Sequence, residues 1–254
     1  MSLLGALRGY AESISRVVPD AIDSGRTWAS NVFLGSVAAS ELSAATGYRA
    51  LNLVAKPLIL PSLTAHSLLR SRGWAPLETG LFAVMGAFHA AGDIVLLCET
   101  DKGRFESLTP GAIAFAAGHG AGIALYESRG VRWSPRATAI NVVLGAGVGL
   151  GLSAMARKAT IHQLVQGAYA ALLLEYVSRG VSTVGRDDWD TDAARTIAVG
   201  SVVWAVSDAL IAVRLATQDG SIMRRVLSVA VMDFYGSGQL LTQSGLVRAL
   251  NARH

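Results

Sequence analysis

Charge is what this sequence has least of: 16% of its 254 residues are Asp, Glu, Lys or Arg, where an ordinary soluble domain carries about 25%. A water-soluble chain of this length would lack the charge to cover its surface, so soluble classes are excluded at the outset. Cysteine is nearly absent. The single Cys98 excludes an intrachain disulfide and any cysteine-based metal cluster. Proline is scarce at 6 while glycine reaches 27, the balance of closely packed membrane helices with small residues at their contacts. The apolar/polar alternation of a membrane barrel is missing. So are a phosphate-binding glycine loop, a zinc-type His/Glu pair and a Gly-x-Ser-x-Gly elbow. His162 has no second ligand spaced to join it, and neither a metal nor a cofactor is expected.

What is present is apolar sequence: 52% hydrophobic residues and a mean hydropathy of +0.42. The net charge of +4 and the pI near 9.5 do not point to nucleic acid. Arg and Lys sit mostly between apolar runs, as membrane anchors do, and no basic stripe interleaves with aromatics. Eight runs are long enough to span: Trp28 to Ala45, Leu51 to Leu69, Leu77 to Cys98, Leu108 to Tyr126, Ala137 to Ala156, Ile161 to Val177, Ala194 to Ala216 and Val226 to Val247. Each is close to the roughly 20 residues a helix needs to cross about 30 Å of hydrocarbon. The expected fold is all-α, a polytopic membrane protein with about eight transmembrane helices in one bundle, occupying residues 27–248.

Breaks between spans are short and basic: Arg70-Ser71-Arg72, Arg129 to Arg136, Arg157-Lys158 and Arg224-Arg225. The longest, Arg179 to Asp192, is plainly solvated. An even number of spans puts both termini on one side, and a weak Lys/Arg bias makes that side the cytoplasm of a multi-pass cell-membrane protein. Leu3 to Leu7 is too short for the apolar core of a signal peptide and is followed by Arg8, Glu12 and Arg16. Residues 1–26 are instead expected to form a cytoplasmic segment, with Leu3 to Val18 an amphipathic helix on the membrane surface. A faint internal repeat links Phe88…Gly92-Asp93 in span three with Trp204…Ser207-Asp208 in span seven, in the manner of two parallel halves.

Ionisable side chains inside apolar spans cost several kcal/mol near the membrane centre and mark function by default. They are Glu41, Lys56, His66, His89, Asp93, His119, Glu175 and Asp208. Glu41, His66 and Glu175 lie near span ends, where water is within reach. Asp93 and Asp208 lie deeper, each preceded by a small residue that lets a neighbouring helix approach. A structural reading competes, in which Lys56 pairs with an aspartate to hold helices together. His89 precedes Asp93 by four residues and shares its helix face, placed to bond that carboxylate. His119 lies among small residues in Phe115-Ala-Ala-Gly118-His119-Gly-Ala-Gly122, which leave room for a ligand or a close helix contact. Asn52 and Lys56 share a face of a span that also carries Pro57 and Pro61. Tyr235 and Gln239 share a face of span eight, where interhelical hydrogen bonding explains them equally well.

Taken in order, these residues resemble the YhhN-like family, the lysoplasmalogenases. The likeness runs through Lys56-Pro57, Phe88-x-x-x-Gly92-Asp93, Phe105, Phe115-x-x-Gly118-His119, Trp204-x-x-Ser207-Asp208 and Tyr235-x-x-x-Gln239-Leu240-Leu241, most of the chain. It implies an eight-helix membrane hydrolase that opens the vinyl ether bond of a lysoplasmalogen to a fatty aldehyde and a glycerophospho-base. Asp93 and Asp208 are then the catalytic pair, and Lys56, His119, Tyr235 and Gln239 line the site, with His89 and Asn52 beside them. A vinyl ether opens when an acid protonates its outer alkene carbon and water attacks the resulting oxocarbenium ion. One carboxylic acid and one carboxylate meet that need. Two departures stand out: Gly122 holds a place where the family usually has a tyrosine, and His89 replaces a small polar residue. The implied partners are a lysolipid or ether-lipid substrate and membrane lipids, with no nucleic acid. The alternative is a non-enzymatic lipid-binding or transport protein using the same polar intramembrane cavity.

Overall fold

A computed structural model describes residues 27–99, 105–217 and 220–252; the expected surface helix within residues 1–26 lies outside them. Eight α-helices and one short 3-10 helix account for the described chain, and no strand occurs among the described residues. The helices are α1 (Trp28–Thr46), α2 (Arg49–Leu69), α3 (Pro76–Glu99), α4 (Thr109–Ser128), α5 (Pro135–Ala156), α6 (Ile161–Val181), α7 (Thr191–Ala216) and α8 (Ile222–Asn251). The 3-10 turn Phe105–Leu108 leads into α4. Each α-helix coincides with one expected span, its ends displaced by no more than about a turn. Side chains start several of them: Thr27 and Ser30 form a capping box on α1, and Ser134, Asp190 and Ser221 cap α5, α7 and α8. Gly47, at φ +76°, ends α1 in the left-handed region that glycine enters without strain. Pro57 and Pro61 lie inside α2, which nonetheless runs as one helix.

Four stretches are long and apolar enough to cross a membrane: Pro76–Cys98, Glu106–Ser128, Pro135–Ala156 and Thr191–Ala216. The remaining four helices fall short because they carry more polar side chains. Those are serines 30, 36, 40 and 43 on α1 and Lys56 and His66 on α2. On α6 they are Gln163, Gln166, Glu175 and Arg179, and on α8 Asp233, Gln239 and Gln243.

Two compact units divide the chain. One is the continuous stretch Pro76–Arg179, holding α3 to α5 and α6 up to its last turn; the other joins α1 and α2 to α7 and α8. In the first unit, α3 and α4 run antiparallel in one unbroken register. Glycines on either helix take large side chains of the other, at Gly92/Phe115, Gly111/Leu96, Gly118/His89 and Gly122/Met85. Each contact steps a turn along α3 as it steps a turn back along α4. At Gly111 an added Cβ would lie 2.5 Å from the Leu96 side chain and would have to push it aside. Helices α5 and α6 also run antiparallel, Gly145 and Gly149 meeting Gly167 backbone to backbone.

In the second unit α7 and α8 form another glycine-mediated antiparallel pair. Gly200 faces Thr242, Gly238 faces the Trp204 backbone, and Gly245 faces Ala193 and Ile197. Helix α8 also packs on α1, where Gly236 meets Val37. Between α2 and α8 the contacts run parallel. Ser67 donates to Gln243 at 3.1 Å, and further on Asn251 donates to the Arg70 carbonyl at 3.0 Å.

Candidate functional site

The unit Pro76–Arg179 contributes His89, Asp93 and His119. The buried face of α3 carries Glu78, Phe82, Met85, His89, Asp93 and Leu97 at helical spacing, and Asp93 is 2% exposed. It stands one turn beyond His89 on that face. Gly92, beside it, receives the Phe115 ring of α4 against its backbone, where a Cβ would lie 2.6 Å from the ring.

His89 and His119 are fully buried, their ring centroids 5.0 Å apart. The small residues expected to leave room around His119 are filled by rings. His89 lies where a Cβ on Gly118 would sit, 2.2 Å away, and Tyr176 of α6 crowds Gly122 at 2.4 Å. Tyr169 and Tyr176 flank His119 with centroids 5.7 and 5.1 Å from its ring. The departure at Gly122 thus has a structural counterpart: a tyrosine reaches the same neighbourhood from α6 and donates its hydroxyl to Met85 Sδ at 3.8 Å. Neither Tyr169 nor Tyr176 was legible beforehand, because an aromatic in an apolar run carries no signal of what it faces.

The other unit contributes Asn52 and Lys56 on α2, Asp208 on α7, and Tyr235 and Gln239 on α8. Asp208 is half-buried and follows Ser207, whose hydroxyl donates to the Val231 carbonyl of α8 at 2.9 Å. Trp204, Tyr235 and Gln239 are buried, while Asn52 and Lys56 are half-buried. Asn52 Oδ1 and Gln239 Nε2 are buried with no hydrogen-bond partner among the described residues. The repeat suggested by spans three and seven is not matched in burial: Phe88 is 43% exposed where Trp204 is 1% exposed. Further charges stand inside these span-length helices, among them Arg214 on α7 and Asp233 on α8. Arg214 lies near the end of its apolar run, whereas Asp233 lies about two turns inside its own.

One expectation is corrected. Glu175 does not reach water. It is buried, accepting hydrogen bonds from Arg179, Thr138 and Asn141 at 2.8, 2.9 and 2.9 Å. Arg179 also donates to the Val131 carbonyl at 3.0 Å and pairs with Glu127 at 3.1 Å, so the carboxylate belongs to an ion network that joins α4, α5 and α6. His66, near the end of α2, is buried too, its Nδ1 2.8 Å from Oγ1 of Thr27, the residue that caps the start of α1. Among the described residues no three His, Cys, Asp or Glu side chains gather closely enough to hold a metal ion.

The YhhN family model matches residues 51–246. That stretch holds the two aspartates and every residue expected to line the site with them; Glu41 precedes it. No curated protein and no solved structure matches the chain.

Proposed function

Because the chain belongs to the YhhN family, we propose that this membrane protein is an ether hydrolase that cleaves lysoplasmalogen-type lipids. The observation that carries the proposal is Asp93, a carboxyl group 2% exposed on the packed face of an apolar helix long enough to span a membrane. Such a group is costly to keep there and is retained for chemistry or for pairing. The reaction consumes one water. An acid delivers its proton to the outer alkene carbon, and the inner carbon becomes an oxocarbenium ion. Water bonds to that carbon as a carboxylate takes its proton, and the hemiacetal collapses to an aldehyde and a free glycerol hydroxyl.

In this reading Asp93 is the acid, with His89 beside it on α3, and Asp208 is the base. Lys56 attracts the anionic head group, while Asn52, His119, Tyr235 and Gln239 line the site. All eight helices cross the membrane, and both termini face the cytoplasm. Support for eight crossings comes from helix lengths of 19 to 30 residues, enough at about 1.5 Å per residue to reach across about 30 Å.

Aldehyde release from a lysoplasmalogen by the purified protein in detergent tests the proposal. Turnover in the wild type, lost in Asp93→Asn and Asp208→Asn at unchanged melting temperature, is the expected result. A well-folded wild type that releases no aldehyde across several head groups would replace the hydrolase with a lipid binder or transporter.

A further inference from the structure

Between α2 and α8 lie uncharged polar groups of which the reaction above uses only Gln239. Ser67 and Gln243 meet at their centre, 2% and 0% exposed, the serine hydroxyl donating to Gln243 Oε1. Gln243 Nε2 is left with no hydrogen-bond partner among the described residues. One turn back on the same faces stand Thr64 of α2 and Gln239 of α8. Both are more than nine-tenths buried, and Thr64 Oγ1 and Gln239 Nε2 are likewise without a partner among the described residues. Forward of the Ser67–Gln243 contact, by one turn on α2 and by two on α8, both helices finish. There Asn251 accepts from Arg72 N and Trp74 Nε1, at 2.9 and 2.7 Å, and donates to the Arg70 carbonyl.

The Ser67–Gln243 contact brings the two helices together, and Thr64 and Gln239 each lie one turn before it on their own helix. Tyr235 follows one turn before Gln239. Lys56 lies two turns before Thr64, about 12 Å along α2 at 1.5 Å per residue. A hydroxyl and two amide nitrogens, spaced a helical turn apart and shut away from other protein groups, are the surroundings in which buried waters are held.

We propose that this α2–α8 seam holds a file of water molecules open to the membrane face at which both helices end, and that it supplies the water consumed in hydrolysis. The second half rests on the hydrolase reading; the first does not. Waters bridging Gln243 Nε2, Thr64 Oγ1 and Gln239 Nε2 satisfy each of these groups and form a chain toward Tyr235 and Lys56. A hydrolase working inside apolar helices needs such a route, because its second substrate is not soluble in the bilayer.

Aqueous silver ion, which reacts with thiols but does not cross dry protein, gives a test that needs no turnover. In a Cys98→Ser background, Thr64→Cys and Gln243→Cys are expected to be protected from later alkylation at least about tenfold faster than Leu63→Cys and Leu246→Cys, which carry buried apolar neighbours on the same helices. Equal, slow protection at all four positions would overturn the seam, whatever the activity. For the supply role, Gln243→Leu and Thr64→Val are expected to lower kcat about tenfold with KM and melting temperature kept. Fast protection with unchanged kcat in both variants would overturn that role. Fast protection in a wild type that releases no aldehyde would overturn the hydrolase reading and leave the water file standing.

Discussion

The two units differ in what their buried polar groups are paired with. In Pro76–Arg179 the charges are matched. Glu78 meets Arg129 at 2.6 Å, and Glu175, Arg179 and Glu127 form a chain completed by Thr138, Asn141 and the Val131 carbonyl. In the unit of α1, α2, α7 and α8, the polar groups on the α2 and α8 faces keep unspent hydrogen-bonding capacity at Asn52, Thr64, Gln239 and Gln243. The first unit has a smaller set of that kind, Gln163 and Gln166 on α6. A saturated network resists change and fixes helix positions, whereas an unsaturated one is ready for something that is not protein. Position within an apolar run does not distinguish the two: Glu175 and Gln239 both sit in span-like sequence, yet one is a fastener and the other is open.

Removing a partner from the saturated network should have the largest effect. Arg179→Met strands Glu175 in a buried setting and is expected to cost about 3–5 kcal/mol, read as a fall in the detergent melting temperature. A change below about 1 kcal/mol would mean that the network is ornamental. Next comes the ring packing of α3 on α4. Gly118→Ala drives a methyl into His89 and should cost about 1–3 kcal/mol, and adding His89→Ala should recover part of the loss. Additive losses in the double variant would show that the two residues are not coupled. Smallest is Gln243→Leu in the open seam. Exchanging an amide with an unused nitrogen for a leucine of similar size should shift stability by no more than about 1 kcal/mol, since little beyond the Ser67 bond is given up. A loss as large as that of Arg179→Met would erase the contrast between the units.

Much of the fold was legible because hydropathy is additive along a chain: eight apolar runs became eight helices, with ends displaced by at most about a turn. Charged candidates were legible for the same reason, since a lone Asp93 in an apolar run is conspicuous. Thr64, Ser67 and Gln243 were not. Each is cheap enough in a helix to pass unnoticed singly, and their meaning arises only when the α2–α8 register lines them up. Tyr176 escaped notice because which helix face it meets depends on the packing of α6 against α4. Glu175 was misjudged because distance from a span end says nothing about what the neighbouring helices bring to that level.

Helix α5 differs from its neighbours in what surrounds it. Its side facing α6 closes through Gly145 and Gly149, while Ile140, Val142, Val143, Leu144, Val148 and Leu150 are exposed. Exposed Trp133 and Arg136 flank one end, and exposed Arg157 and Lys158 the other. Such groups prefer the two water–lipid boundaries. The 22 residues between Pro135 and Ala156 measure about 33 Å, close to an ordinary hydrocarbon thickness of about 30 Å. This helix therefore acts as a ruler. A thinner bilayer would force α5 to tilt, and its backbone contact with Gly167 would carry that tilt into α6, the helix bearing Tyr169 and Tyr176. Bilayer thickness would thus become a mechanical input to the packing around His119.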